Sequence, residues 1–67
     1  MEKREWELYD ERLGNDLGPY TLEEIYRFER RCNRENEVDP DYTPIALRER
    51  GNELWDVNAH VLVARKA

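Results

Sequence analysis

The chain has no serine, one cysteine and one histidine, and each scarcity removes a class of chemistry. Nucleophilic catalysis needs a hydroxyl or thiol beside a base held by a third group. Here serine is missing, Thr21 is taken up by a helix start, and Cys32 falls on a stripe expected to be buried. A lone Cys32 closes no internal disulfide, and with a lone His60 it completes no zinc site. Glycine is scarce too. Gly14 and Gly18 are separated by Asn15-Asp16-Leu17 and stand among carboxylates, so they form no phosphate cradle. Neither an enzyme nor a cofactor is expected. No apolar run approaches the roughly 18 residues that cross a bilayer. The opening Met-Glu-Lys-Arg-Glu-Trp has no apolar stretch of the kind a secretion signal carries. A cytoplasmic, soluble protein is the expectation.

What the chain has is charge, unevenly placed. Nine of its sixteen carboxylates lie between Glu2 and Glu29, against four basic side chains, and this stretch carries the whole net charge of −5. Residues 30 to 67 balance at seven of each sign. A localised acidic field attracts cationic surfaces and repels phosphate, which argues against direct binding to nucleic acid and for a protein partner with a basic surface.

Sixty-seven residues make one domain, near the lower size limit for a single apolar core without staples. A homodimer is one way to supply the missing buried area. The clearest element is a helix starting at Thr21. Thr21 and Glu24 form a capping box, Tyr20 and Ile25 a hydrophobic staple. Glu23 and Glu24 sit at the positive end of the helix dipole, Arg30, Arg31 and Arg34 at the negative end. Leu22, Ile25, Phe28 and Cys32 make the buried stripe, and Glu23 pairs with Arg27 on the opposite face. From Asn33 to Asp41 the chain is polar and reads as a loop. Its carboxylates Glu35, Glu37, Asp39 and Asp41 lack the glycine and the terminal glutamate of a calcium loop.

From Tyr42 the period becomes two. Ile45 and Leu47 alternate with Ala46 and Arg48, Gly51-Asn52 supplies a two-residue turn, and Trp55, Val57, Ala59, Val61 and Val63 share one side of a long strand. His60 then stands on the other side with Asp56 and Asn58. Residues 2 to 13 fit either a helix or a strand, and a strand from Trp6 to Asp10 would complete a sheet for the helix to cover. The resulting expectation is an α+β fold, one helix on a small antiparallel sheet, in the order β-α-β-β, with α-α-β-β as the alternative.

Trp6-Glu7-Leu8-Tyr9-Asp10, the turn Gly18-Pro19-Tyr20, then Ile25 and Phe28 together resemble the first half of a GYF-type adaptor domain. There a strand and a Gly-Pro-aromatic turn lead into a helix packed on a small sheet. The resemblance implies that Trp6, Tyr9, Tyr20 and Phe28 grip a proline-rich peptide. It spans residues 6 to 28, and Arg31-Cys32-Asn33-Arg34 stands where the Gly-Tyr-Phe tripeptide belongs.

Two functions follow, both non-catalytic. In the first, Glu5, Glu7, Asp10, Glu11, Asp16, Glu23 and Glu24 form a row that imitates a nucleic-acid backbone and occupies a partner's basic, nucleic-acid-binding surface. In a strand, Glu5 and Glu7 would stand roughly 6.8 Å apart on one face. In size and acidity the chain is similar to phage or mobile-element inhibitors of the anti-CRISPR and anti-restriction type. In the second, exposed aromatics bind a peptide as in the GYF-type adaptors. Charge used for solvation alone is the plainer alternative to the first.

Overall fold

A computed structural model describes residues 3–14 and 16–67. It contains one helix and a four-stranded antiparallel sheet: β1 (Trp6–Leu8), α1 (Leu22–Asn36), β2 (Leu47–Arg50), β3 (Glu53–Asp56) and β4 (Val61–Lys66). The α+β architecture matches the expectation, with β1 as a strand. The sheet order is β1-β4-β3-β2, so the amino-terminal strand pairs with the carboxy-terminal one.

The helix begins as its sequence dictates. The Thr21 hydroxyl accepts from the Glu24 amide at 3.1 Å while the Glu24 carboxylate accepts from the Thr21 amide at 3.0 Å, which satisfies two of the free amino-terminal N–H groups. The helix ends later than expected. Asn33 to Asn36, read as loop, form a further helical turn because their amides find partners in the fold. The Asn33 side chain donates to the Ile45 carbonyl at 3.0 Å and accepts from the Ile45 amide at 2.8 Å and the Tyr42 hydroxyl at 2.6 Å. This one carboxamide ties the end of α1 to the segment entering β2.

The long strand expected from Trp55 to Val63 is two strands. Val57 to His60 turn the chain back, with His60 at a φ of +57°, and the sheet gains a strand. The turn is held by Asp56, whose Oδ1 accepts from the amides of Asn58 (3.0 Å), Ala59 (3.3 Å) and Ala46 (3.2 Å). Facing is reversed accordingly. Leu54 and Asp56, not Trp55 and Val57, are the buried side chains of β3. A register shift follows: Leu54 opposes Ala64 while Trp55 opposes Leu62, leaving Val63 as the bulged residue. Val63 and Ala64 are therefore both buried although they are neighbours.

The core joins Trp6 and Leu8 of β1, Leu13, Ile25 of the helix, Ile45, Leu47, Leu54, Val63 and Ala64. Tyr20, Leu22, Phe28 and Cys32 pack at its margin. Residues 17 to 20 run beside β1 and cover its outer edge, through Leu8 N–H to the Leu17 carbonyl (2.8 Å) and a reciprocal pair between Trp6 and Tyr20 (3.0 and 2.9 Å). That approach requires glycine at position 18. Its φ is +104°, and a Cβ there would lie 3.0 Å from the Trp6 carbonyl oxygen.

Candidate functional site

The fold sorts the seven candidate carboxylates into two groups. Four are engaged by the chain's own cations. Glu5 lies 3.5 Å from Lys66 Nζ, Glu23 3.3 Å from Arg27, and Glu24 3.0 Å from Arg4. Asp10 receives both the side chain and the amide of Arg12, and the Arg12 hydrogen bond holds its carboxyl below the usual range. Glu24 is likewise lowered, first by the Thr21 amide. Such groups present little uncompensated charge to a partner.

Glu7, Glu11 and Asp16 form the second group: all are exposed, and among the described residues none makes an ion pair. Glu7 faces Arg65 across the β1–β4 ladder, but that guanidinium goes to Glu53 at 3.2 Å. Glu7 instead accepts from the Tyr9 hydroxyl at 3.2 Å. Asp16 accepts the Gly18 amide at 3.4 Å and so shapes the turn that covers β1.

These three carboxylates surround apolar surface. Tyr9 is 45% exposed, Leu17 66% and Val61 40%, three of the four large apolar side chains so exposed among the described residues. Two shallow depressions meet at Tyr9 and Glu11. One continues to Val61 and Leu62, the other to Asp16 and Leu17. The Tyr9 phenol is raised above its ordinary value by burial and by the hydrogen bond it donates to the Glu7 carboxylate. Glu11 borders both depressions and Asp16 the second, while Arg12, held by Asp10 and Asp56, borders the first, so the apolar strip has a predominantly acidic rim.

The four aromatics of the adaptor resemblance do not make one open surface. Trp6 is 3% exposed and part of the core. Tyr20 and Phe28 pack edge to face, centroids 5.1 Å apart, with the Arg31 guanidinium 5.3 Å from the Phe28 centroid. Both are half-buried, and only Tyr9 is exposed.

The nucleophile and base candidates are apart. Cys32 Sγ lies 3.5 Å from the Tyr42 hydroxyl at the end of α1, whereas His60 is exposed in the β3–β4 turn. Burial first, and then the hydrogen bond with Cys32, push the Tyr42 phenol up to about 12. Among the described residues no group of three or more His, Cys, Asp and Glu side chains converges, and Glu35 in the last turn of α1, Glu37 at its C-cap and Asp39 beyond it are exposed. Among the described residues no helix is long and apolar enough to cross a membrane.

Sequence reasoning missed Asp56, whose side chain is the one charged group buried among the described residues. Its Oδ2 accepts from Arg12 at 3.0 Å. The local signal was Asp56-Val57-Asn58, an Asx-turn pattern overshadowed by the alternation of valines around it. The partner, 44 residues away, had no local signal. No family model, curated protein or solved structure matches the chain.

Proposed function

We propose that the chain is a non-catalytic protein-binding module that presents Glu7, Glu11 and Asp16, with Tyr9 and Leu17 between them, to a basic surface of a partner protein, of the kind that otherwise holds nucleic acid. The observation that carries this reading is the separation of the carboxylates. Four of the seven candidate acids pair with Arg4, Arg12, Arg27 and Lys66, and among the described residues these three make no ion pair and lie beside exposed apolar side chains. Uncompensated charge steers encounter, and the apolar strip supplies the desolvated contact that charge alone lacks. The contact is smaller than a row of seven acids. It suits occupation of one part of a basic groove rather than imitation of a long duplex. The GYF-like alternative takes second place, since Tyr9 is the only one of its four aromatics that is exposed.

The test is recovery of the partner from the native cell by the wild-type chain and by Glu7→Lys/Glu11→Lys/Asp16→Lys. Glu35→Lys/Glu37→Lys/Asp41→Lys, three exposed acids from the last turn of α1 to the loop that follows it, is the charge-matched control. Loss in the first variant and retention in the control support the reading. Equal loss in both shows that net charge, not this surface, is responsible.

A further inference from the structure

The two edges of the sheet are treated differently. The β1 edge is covered by residues 17–20, whereas among the described residues the backbone of β2 bonds only to β3. The two-residue turn at Gly51-Asn52 makes Arg50 and Glu53 a hydrogen-bonded pair, and alternation makes Arg48 and Trp55 the next. The Val57 amide donating to the Ala46 carbonyl at 2.9 Å continues the same alternation. The N–H and C=O groups of Leu47 and Glu49 therefore point away from the sheet.

Side chains along this edge carry a pattern. Leu47 is buried toward the helix, so Arg48 and Arg50 stand on the opposite face, roughly 7 Å apart at strand spacing, with Glu49 between them on the helix side. Arg48 and Arg50 are exposed and make no ion pair among the described residues. The Arg50 guanidinium rests 5.7 Å from the Trp55 ring centroid, which limits its freedom before any partner arrives.

A second copy of β2 is a poor occupant. Antiparallel pairing that keeps matching faces together and is centred on Arg48, Glu49 or Arg50 sets Arg48 against Arg48, Glu49 against Glu49 with Arg48 against Arg50, or Arg50 against Arg50. Each opposes like charges directly. The complement of Arg-Glu-Arg is an acidic-basic-acidic triplet in extended form.

We propose that the free edge of β2 accepts an extended segment of a partner protein, added as a fifth strand, in which two carboxylates two residues apart lie beside Arg48 and Arg50 and a basic side chain between them lies beside Glu49. This site is separate from the acidic strip around Tyr9 and stands whether or not that strip binds a partner.

The probe is a blocked nonapeptide, Thr-Val-Thr-Glu-Lys-Glu-Thr-Val-Thr, titrated into the full chain and followed by amide NMR. Its charge inverse, Thr-Val-Thr-Lys-Glu-Lys-Thr-Val-Thr, is the comparison. The expected result is that Leu47 and Glu49 amides shift most and exchange about tenfold more slowly, with at least about tenfold weaker binding of the inverse peptide. Arg48→Glu/Arg50→Glu reverses the preference. Glu49→Pro abolishes binding while β3 and β4 resonances stay in place, because the amide it removes is not part of the β2–β3 ladder. Should a variant unfold, the two peptides on the wild-type chain still decide. Equal affinity for both peptides, no shift at about 1 mM peptide, shifts centred elsewhere, or concentration-dependent shifts of Leu47 and Glu49 without peptide overturn the proposal.

Discussion

Arg12 and Asp56, 44 residues apart in the chain, meet at 3.0 Å and join the amino-terminal loop to the turn between β3 and β4. Asp56 is 1% exposed and receives four donors, three of them main-chain amides. A buried carboxylate is tolerated only when its oxygens are satisfied in this way. Arg12 in turn holds Asp10, so one guanidinium fixes two acids.

Asp56→Ala should therefore be among the most damaging single changes, at about 3 kcal/mol, because it strands three amides and the β3–β4 turn together. Arg12→Ala should cost about 1 to 2 kcal/mol, since the main-chain donors to Asp56 remain. Urea denaturation of both variants checks the order. Arg12→Ala as the more harmful change would mean that the ion pair, not the turn, is the main contribution.

Asn33→Ala removes the carboxamide that holds Ile45 and Tyr42 to the helix, at a cost of about 2 kcal/mol. Opening that segment should also let the Tyr42 phenol fall from about 12 back toward its ordinary value. An ultraviolet titration of the tyrosines reads this directly, and an unchanged Tyr42 would place the cause of its shift elsewhere.

Acid and base act on different groups. Asp10, lowered by Arg12, and Glu24, lowered by the Thr21 amide, contribute stability that is present above the unfolded carboxyl pKa and is lost as pH falls through the folded one. Tyr26, raised by burial, and Tyr42, raised to about 12, contribute stability present below the unfolded phenol pKa and lost as pH climbs through the folded value. Midpoints measured across pH should fall below about pH 4 and again above about pH 10.

Glu29 runs against this pattern. Half-buried on α1, it is raised, first by burial, so its ionised form is disfavoured by folding at neutral pH. Glu29→Gln should raise the denaturation midpoint at pH 7, with the gain vanishing below the unfolded carboxyl pKa. A lower midpoint at pH 7 would show that the carboxylate makes a favourable contact.

Much of this fold is legible locally. Thr21 and Glu24 announce the helix, and Gly51-Asn52 announces the β2–β3 turn. The break inside the expected long strand was hidden because Trp55, Val57, Ala59, Val61 and Val63 keep period two straight through it. Only the carboxylate of Asp56, by capturing the amides beyond it, makes a turn the better solution. The helix end was hidden for a related reason, as Asn33 and Asn36 read as polar loop until Ile45 and the Cys32 carbonyl supply their partners. For the acidic residues the sequence shows number but not pairing. Glu23 with Arg27 is a visible i, i+4 pair, whereas Glu5 with Lys66 and Glu24 with Arg4 exist only once β1 lies beside β4 and the chain entering β1 reaches the helix start.

On the proposed reading three unpaired carboxylates, not net acidity, make the contact. The measurement is partner recovery by the wild-type chain and by Glu7→Lys/Glu11→Lys/Asp16→Lys at about 50 mM and about 300 mM salt, where screening lengths differ more than twofold. At least about tenfold loss is expected for the variant at low salt, and loss for the wild type at high salt. Undiminished recovery by the variant at both salt concentrations would contradict this reading.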